Sequence, residues 1–209
     1  MNGWIEAEIV ESIRRGRCPI CDAVKAGYEN YLSWLRSNLQ DERFHCSVVE
    51  SGGYCLLHLR SIIASLRFDP YSGVSLLKVM RSVVLSNGRQ ASSLGCHLCE
   101  YLRSTEEAYF MVINSIDSEG GQTNRGKRFL LCSRHESRAR LSDHVSREQN
   151  ASSGSALFMH RSHETKEFLK STEVLLNDFH KKDPDSLRWE VERCEALLIR
   201  FLADERNGR

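Results

Sequence analysis

The chain has 209 residues, 29 Lys and Arg against 28 Asp and Glu, 41% hydrophobic residues, 3 Pro, 13 Gly and 8 Cys. This balance describes a globular protein able to bury a core and excludes disordered, collagen-like and strongly charged classes. A formal net charge of +1 gives no electrostatic case for nucleic acid, and no apolar run approaches the ~18 residues of a membrane span.

Apolar residues recur at helical spacing almost throughout and strand signals are nearly absent, so the pattern predicts an all-α protein. Residues 3–15 form a short helix ended by Gly16. From 19 to 39 an amphipathic stripe of Val24, Tyr28, Tyr31, Leu32, Leu35 and Leu39 predicts a helix of about five turns. A shorter helix follows Gln40-Asp41 and is capped at Gly52-Gly53, a pair that also turns the chain. Helix resumes over 55–67, stops at Asp69-Pro70 and returns over 72–88.

A second unit repeats this plan: a helix over 97–117, a loop through Gly120 to Asn124, and a helix from 132 to about 146. The polar run around Asn150-Ala151-Ser152-Ser153-Gly154-Ser155 reads as a linker over 147–155. A helical hairpin closes the chain over 156–209. Its first arm carries Phe168, Thr172, Leu175 and Phe179 on one face. Asp183 and Pro184 suit the N-cap and first position of the second arm, whose stripe is Leu187, Val191, Cys194, Leu198 and Phe201. The predicted organisation is therefore a first repeat at 1–77, a second at 78–146, the linker, and a hairpin packed on the repeats.

The cysteines carry the chemistry. Cys18-Pro-Ile-Cys21 precedes Cys55-Leu-Leu-His58, and Cys96-His-Leu-Cys99 precedes Cys132-Ser-Arg-His135. The intervals are 33 residues (Asp22 to Tyr54) and 32 residues (Glu100 to Leu131), so a CxxC…CxxH unit recurs with a period of about 77. The flanks repeat too: Tyr31 and Tyr109 both lie ten residues past the second Cys of their pair. Three thiolates and one imidazole are the donor set of a tetrahedral structural site, and two short chelating bites joined by a longer stretch of chain supply it. If each bite opens a helix, its free N–H groups and positive dipole end favour thiolate. Soft sulfur with one nitrogen suits zinc, whereas an iron–sulfur cluster more often shows four cysteines.

Buried free cysteines with incidental histidines, or a redox dithiol, compete with this reading. Two matched quartets argue against the first, and the lack of alternating strands and helices argues against the second. The acidic start from Met1 to Glu8, where a secretory signal would be positive, places the chain in the cytoplasm, where thiols stay reduced. Cys194 falls on a core stripe, and Cys46, without a counterpart in the second repeat, is a packed or surface thiol. His97 is expected to be exposed. His160 and His163, with Glu164 beside them, lack further ligands at clear spacing and read as an exposed polar face.

The order CPxC, a long Tyr-bearing helix, Gly52-Gly53-Tyr54-Cys55-Leu56-Leu57-His58-Leu59, then a second CxxC and CxxH and a closing Glu-Phe-Leu-Lys helix resembles a family of bacterial and archaeal helical proteins of uncharacterised activity. A duplicated CPxC…GGxCxxH signature with metal binding is ascribed to them. The resemblance covers about residues 10–205 and implies two ligand sets, Cys18, Cys21, Cys55 and His58, then Cys96, Cys99, Cys132 and His135. Two departures concern the second set: Cys96-His-Leu-Cys99 lacks the proline, and Cys132 lacks the preceding Gly-Gly.

The resulting expectation is a cytoplasmic protein of two zinc-stapled repeats with two structural Cys3His sites and no catalytic residues, acting as an interaction or regulatory module for a protein partner. A thiol-based metal or redox sensor and a metal-dependent enzyme are the alternatives.

Overall fold

The computed structural model describes residues 3–87, 95–119, 131–142 and 163–207, without the side chains of 87, 117–119, 139–142, 164, 201 and 204–207. Among the described residues there are nine α-helices and no strand: α1 Gly3–Arg14, α2 Pro19–Asn38, α3 Glu42–Glu50, α4 Leu56–Leu66, α5 Pro70–Asn87, α6 His97–Glu119, α7 Ser133–Ser142, α8 His163–Asp178 and α9 Pro184–Asn207. None of them is long and apolar enough to cross a membrane. The predicted linker at 147–155, the loop at 120–124, His160 and the start of the hairpin lie outside the described residues.

The helix boundaries follow local chemistry. At Gly16, with φ of 67°, α1 closes as the Arg17 N–H donates to Ser12 O and the Gly16 N–H to Ile13 O. Only a residue tolerant of positive φ makes this turn cheaply. The same double bond ends α3, from Gly53 N–H to Val48 O and Gly52 N–H to Val49 O. Asp69-Pro70 does more than stop α4. Asp69 Oδ1 accepts the Tyr71 N–H and Pro70 takes the first helical position, so α5 starts at 70 rather than 72. Asp183 caps α9 likewise, accepting from Asp185 and Ser186 N–H.

The chain divides into two compact units, Met1–Tyr31 with Glu100–Ala151, and Leu32–Cys99 with Ser152–Arg209. The division falls inside α2 and α6, while α5 runs unbroken through residues 77 and 78.

In the first unit α1 lays Ile5 and Ile9, one turn apart, against Ile20 and Ala23 of α2 and Tyr109 and Val112 of α6. Residue numbers rise along α2 as they fall along α6. Ile20 and Ala23 share a cluster with Tyr109 and Val112, and Tyr31 meets Tyr101 with ring centroids 5.3 Å apart. The two segments are therefore antiparallel. The Tyr109 hydroxyl donates to Glu8, which satisfies a buried polar group.

In the second unit α5 is the central helix. It is buried nearly all round through Val74, Leu76, Leu77, Val79, Met80, Val83 and Val84, and it contacts α3, α4, α8 and α9. Most of the predicted hairpin stripes meet there: Phe168, Thr172 and Leu175 of α8 and Leu187, Val191, Cys194 and Leu198 of α9 are all buried, while Phe179 is half-buried just past α8 and the Phe201 side chain lies outside the described ones. The Thr172 hydroxyl donates to the Phe168 carbonyl at 2.8 Å, so its burial leaves no unpaired donor.

Candidate metal centres

Each of the four half-motifs places its first cysteine immediately before a helix and its second ligand in the first turn. Cys18 precedes α2, Cys55 α4, Cys96 α6 and Cys132 α7. Their carbonyls begin the helical ladder, accepting from Asp22, Leu59 and Glu136 for Cys18, Cys55 and Cys132. Two ligands three residues apart then share the N-terminal face, where unpaired N–H groups and the helix dipole stabilise negative sulfur. The bites have the form the spacing predicted.

Their pairing does not. Two groups of side chains could hold a metal ion, with all donor atoms of each within 4.8 Å: Cys18, Cys21, Cys132 and His135, and Cys55, His58, Cys96 and Cys99. All eight predicted residues are present, but each group takes its CxxC from one repeat and its CxxH from the other. The quartets Cys18, Cys21, Cys55 and His58, and Cys96, Cys99, Cys132 and His135, are corrected accordingly. The reason lies in how α2 and α6 pack in the first unit. In the first unit the antiparallel course of α6 beside α2 runs the C-terminal half of α6 past Ile20 and Ala23, so the CxxH that follows α6 is the one delivered to Cys18 and Cys21.

In the first group His135 Nδ1 lies 3.4 Å from Cys18 Sγ, 3.5 Å from Cys21 Sγ and 3.1 Å from Cys132 Sγ, and the Cys21 and Cys132 sulfurs are 3.6 Å apart. His135 is buried with its ring 6.0 Å from that of Phe110. On its far side Nε2 is 3.1 Å from Oε1 of the buried Glu106, whose other oxygen accepts from Arg138. Burial lowers the pKa of His135, which favours the neutral imidazole that a metal ligand must be.

The second group has the same form. His58 Nδ1 is 3.4 Å from Cys55 Sγ, 3.3 Å from Cys96 Sγ and 3.2 Å from Cys99 Sγ, with Cys55 and Cys99 3.9 Å apart. The Gly52-Gly53 turn sets it up. Gly53 O accepts the His97 N–H at 3.0 Å, and a Cβ at Gly53 would come within 3.0 Å of Val83, so the turn lies close against α5. His97 is half-buried rather than exposed. Its ring packs edge-on against Phe44 at 5.9 Å and Tyr54 at 6.4 Å, anchoring the first turn of α6.

Neighbouring sulfurs shift several of these thiols. Hydrogen bonding with Cys96 lowers the Cys55 thiol, and sharing with Cys55 raises Cys96. Desolvation, then Cys132, pushes Cys21 up to about 12. Cys132 is lowered: desolvation raises it, but the His135 N–H and the Cys21 and Cys18 side chains outweigh that. Cys55 is thus disposed toward thiolate and Cys21 and Cys96 toward thiol, and an entering cation must displace the protons that remain.

The other candidates fall as follows. Cys194 is buried in α9, and Cys46 is an exposed thiol on α3; neither belongs to a group. His163 is exposed, 3.8 Å from Glu167 on its own helix. Glu106 escaped the sequence reading. Its signal was a carboxylate at position 106 on the helical face that Tyr109 and Ile113 continue.

Comparison of the chain with protein-family models, with curated proteins and with solved structures gives no match.

Proposed function

We propose that the chain is a zinc protein with two structural Cys3His centres, and that the helices they fasten serve as an interaction or regulatory module. The observation that carries this is the spacing of the donors. Zinc bonds of about 2.3 Å to sulfur and 2.0–2.1 Å to nitrogen put tetrahedral edges at about 3.8 Å for S···S and about 3.6 Å for S···N. One sulfur pair in each group stands 3.6 or 3.9 Å apart, the S···N distances run from 3.1 to 3.5 Å and all donors of a group lie within 4.8 Å, distances that suit closure of each group on an ion. Four protein donors leave no vertex for substrate, which favours a structural over a catalytic role.

The interaction role draws on apolar side chains left in solvent: Trp4, Leu57, Phe68, Met111 and Trp189 are each more than 60% exposed. Large exposed aromatics of this kind suit contact with a protein partner. A cytoplasmic location, where glutathione keeps such thiols reduced, fits the same reading, as does the resemblance to the CPxC…GGxCxxH proteins.

A sensor is the second reading, favoured by one specific feature: Cys21 and Cys99, the second cysteine of each CxxC, are exposed and thus open to oxidants. One experiment separates the two. Protein purified without chelator should carry two zinc equivalents by elemental analysis and keep both under mild peroxide. Release of zinc within seconds to minutes would assign the sensor, and a folded protein with no metal would defeat both readings.

A further inference from the structure

We propose that Glu106 is a positioning residue for the first metal centre: its carboxylate fixes the orientation and tautomer of His135, so that Nδ1 is the ligand and Nε2 carries the hydrogen. This rests on the reading of that centre as a zinc site and goes beyond it by assigning a residue outside the ligand set.

Four observations converge. His135 Nδ1 faces three sulfurs at 3.1–3.5 Å, while Nε2 faces Glu106 Oε1 at 3.1 Å. The imidazole therefore has one nitrogen for the metal and one for the acid, and only the Nε2–H tautomer satisfies both. The Glu106 side chain is 10% exposed, a burial that a carboxylate tolerates only with partners. Arg138, three residues past His135 on the same helix, donates to its other oxygen and stacks over Phe110, while Oε1 is buried without a well-aligned hydrogen bond and faces His135 Nε2, the donor it lacks. Glu106 also comes from α6, a different element from α7, which carries His135. The contact thus fixes α7 to α6 as well as the ring. A carboxylate behind a ligating imidazole strengthens its donor nitrogen, and loss of such partners typically weakens metal binding 10–100-fold.

An ordinary core ion pair between Glu106 and Arg138 would look similar, so the test must read the metal. Zinc-loaded full-length protein is challenged with a chromogenic chelator, and the two release phases are assigned with Cys18→Ser, which removes the first. Glu106→Ala should speed release from the first centre by about 10–100-fold and leave the second unchanged. Glu106→Gln, which keeps an acceptor oxygen and the side-chain volume, should recover part of that loss. Arg138→Met, which frees Glu106 without touching His135, should give a smaller acceleration of the same phase. Long-range 15N correlation in the wild type should show the His135 hydrogen on Nε2. Unchanged release in Glu106→Ala, equal acceleration of both phases, or a hydrogen on Nδ1 overturns the inference while the zinc reading stands. A wild type that takes up no zinc is recognised from stoichiometry alone and overturns both.

Discussion

The two centres have the same donors in the same geometry, but the helices that carry their CxxH halves are unlike. α4, Leu-Leu-His-Leu-Arg-Ser-Ile-Ile-Ala-Ser-Leu, buries Leu59, Ile62 and Leu66, each worth about 1.5–3 kcal/mol on burial. α7, Ser-Arg-His-Glu-Ser-Arg-Ala-Arg-Leu-Ser, offers almost no apolar face. Among its described side chains the buried one is the ligand His135. Ten residues with such a composition do not hold a helix in water. One centre is thus added to a helix that apolar packing already secures, whereas the other, with the contacts of His135 and Arg138 to Glu106, holds a helix whose described side chains bury little else. Identical ligands need not carry identical structural weight.

The largest effect should be seen by breaking that contrast. Cys132→Ser should cost the first centre its metal and unfold α7, its amides losing protection in hydrogen-exchange mass spectrometry. Cys55→Ser should cost the second centre its metal while α4 stays protected through its buried leucines and isoleucine. Equal loss of protection in both helices would show that packing does not distinguish them.

The second unit, by contrast, should be broken through its core. Leu198 is fully buried and Leu175 nearly so. Leu198→Asp or Leu175→Asp should cost about 3–5 kcal/mol by burying an unpaired charge. Chemical denaturation should show this loss with both zinc ions still bound at low denaturant. Wild-type stability in either variant would mean that the hairpin adds nothing to the unit.

A smaller effect sharpens the same contrast by pH. Glu195 is buried in α9, near Gly73 of α5, and burial raises its pKa to about 7. The unfolded chain releases this proton near pH 4.5, so the unit loses stability as pH rises from there to about 7 and then levels off. Glu195→Gln should gain up to about 3 kcal/mol at pH 8 and nothing below pH 4.5. A gain independent of pH would place the charge in solvent.

Much of this was legible in the sequence because it is local. The caps at Gly16, Gly52-Gly53 and Asp183-Pro184, the stripes of α8 and α9 and the four chelating bites each depend on residues within two turns of one another. The matching of bites was not local. Two CxxC and two CxxH halves of equal spacing can pair within repeats or across them, and the antiparallel course of α6 beside α2 decides between the two. The burial of His97 escaped for the same kind of reason: its neighbours Phe44 and Tyr54 are distant in sequence. Glu106 was visible only as a charge on an apolar face, and its partner His135 lies 29 positions further on.

The crossed pairing is most directly tested by counting zinc in two double variants. Cys18→Ser with Cys132→Ser removes ligands from one group and should leave one equivalent bound, whereas Cys18→Ser with Cys55→Ser removes one ligand from each and should leave none. Native mass spectrometry of both, beside a wild type with two equivalents, reads the answer directly. The reverse result, one zinc retained by the Cys18 and Cys55 variant and none by the Cys18 and Cys132 variant, would contradict the account and return the ligands to their own repeats.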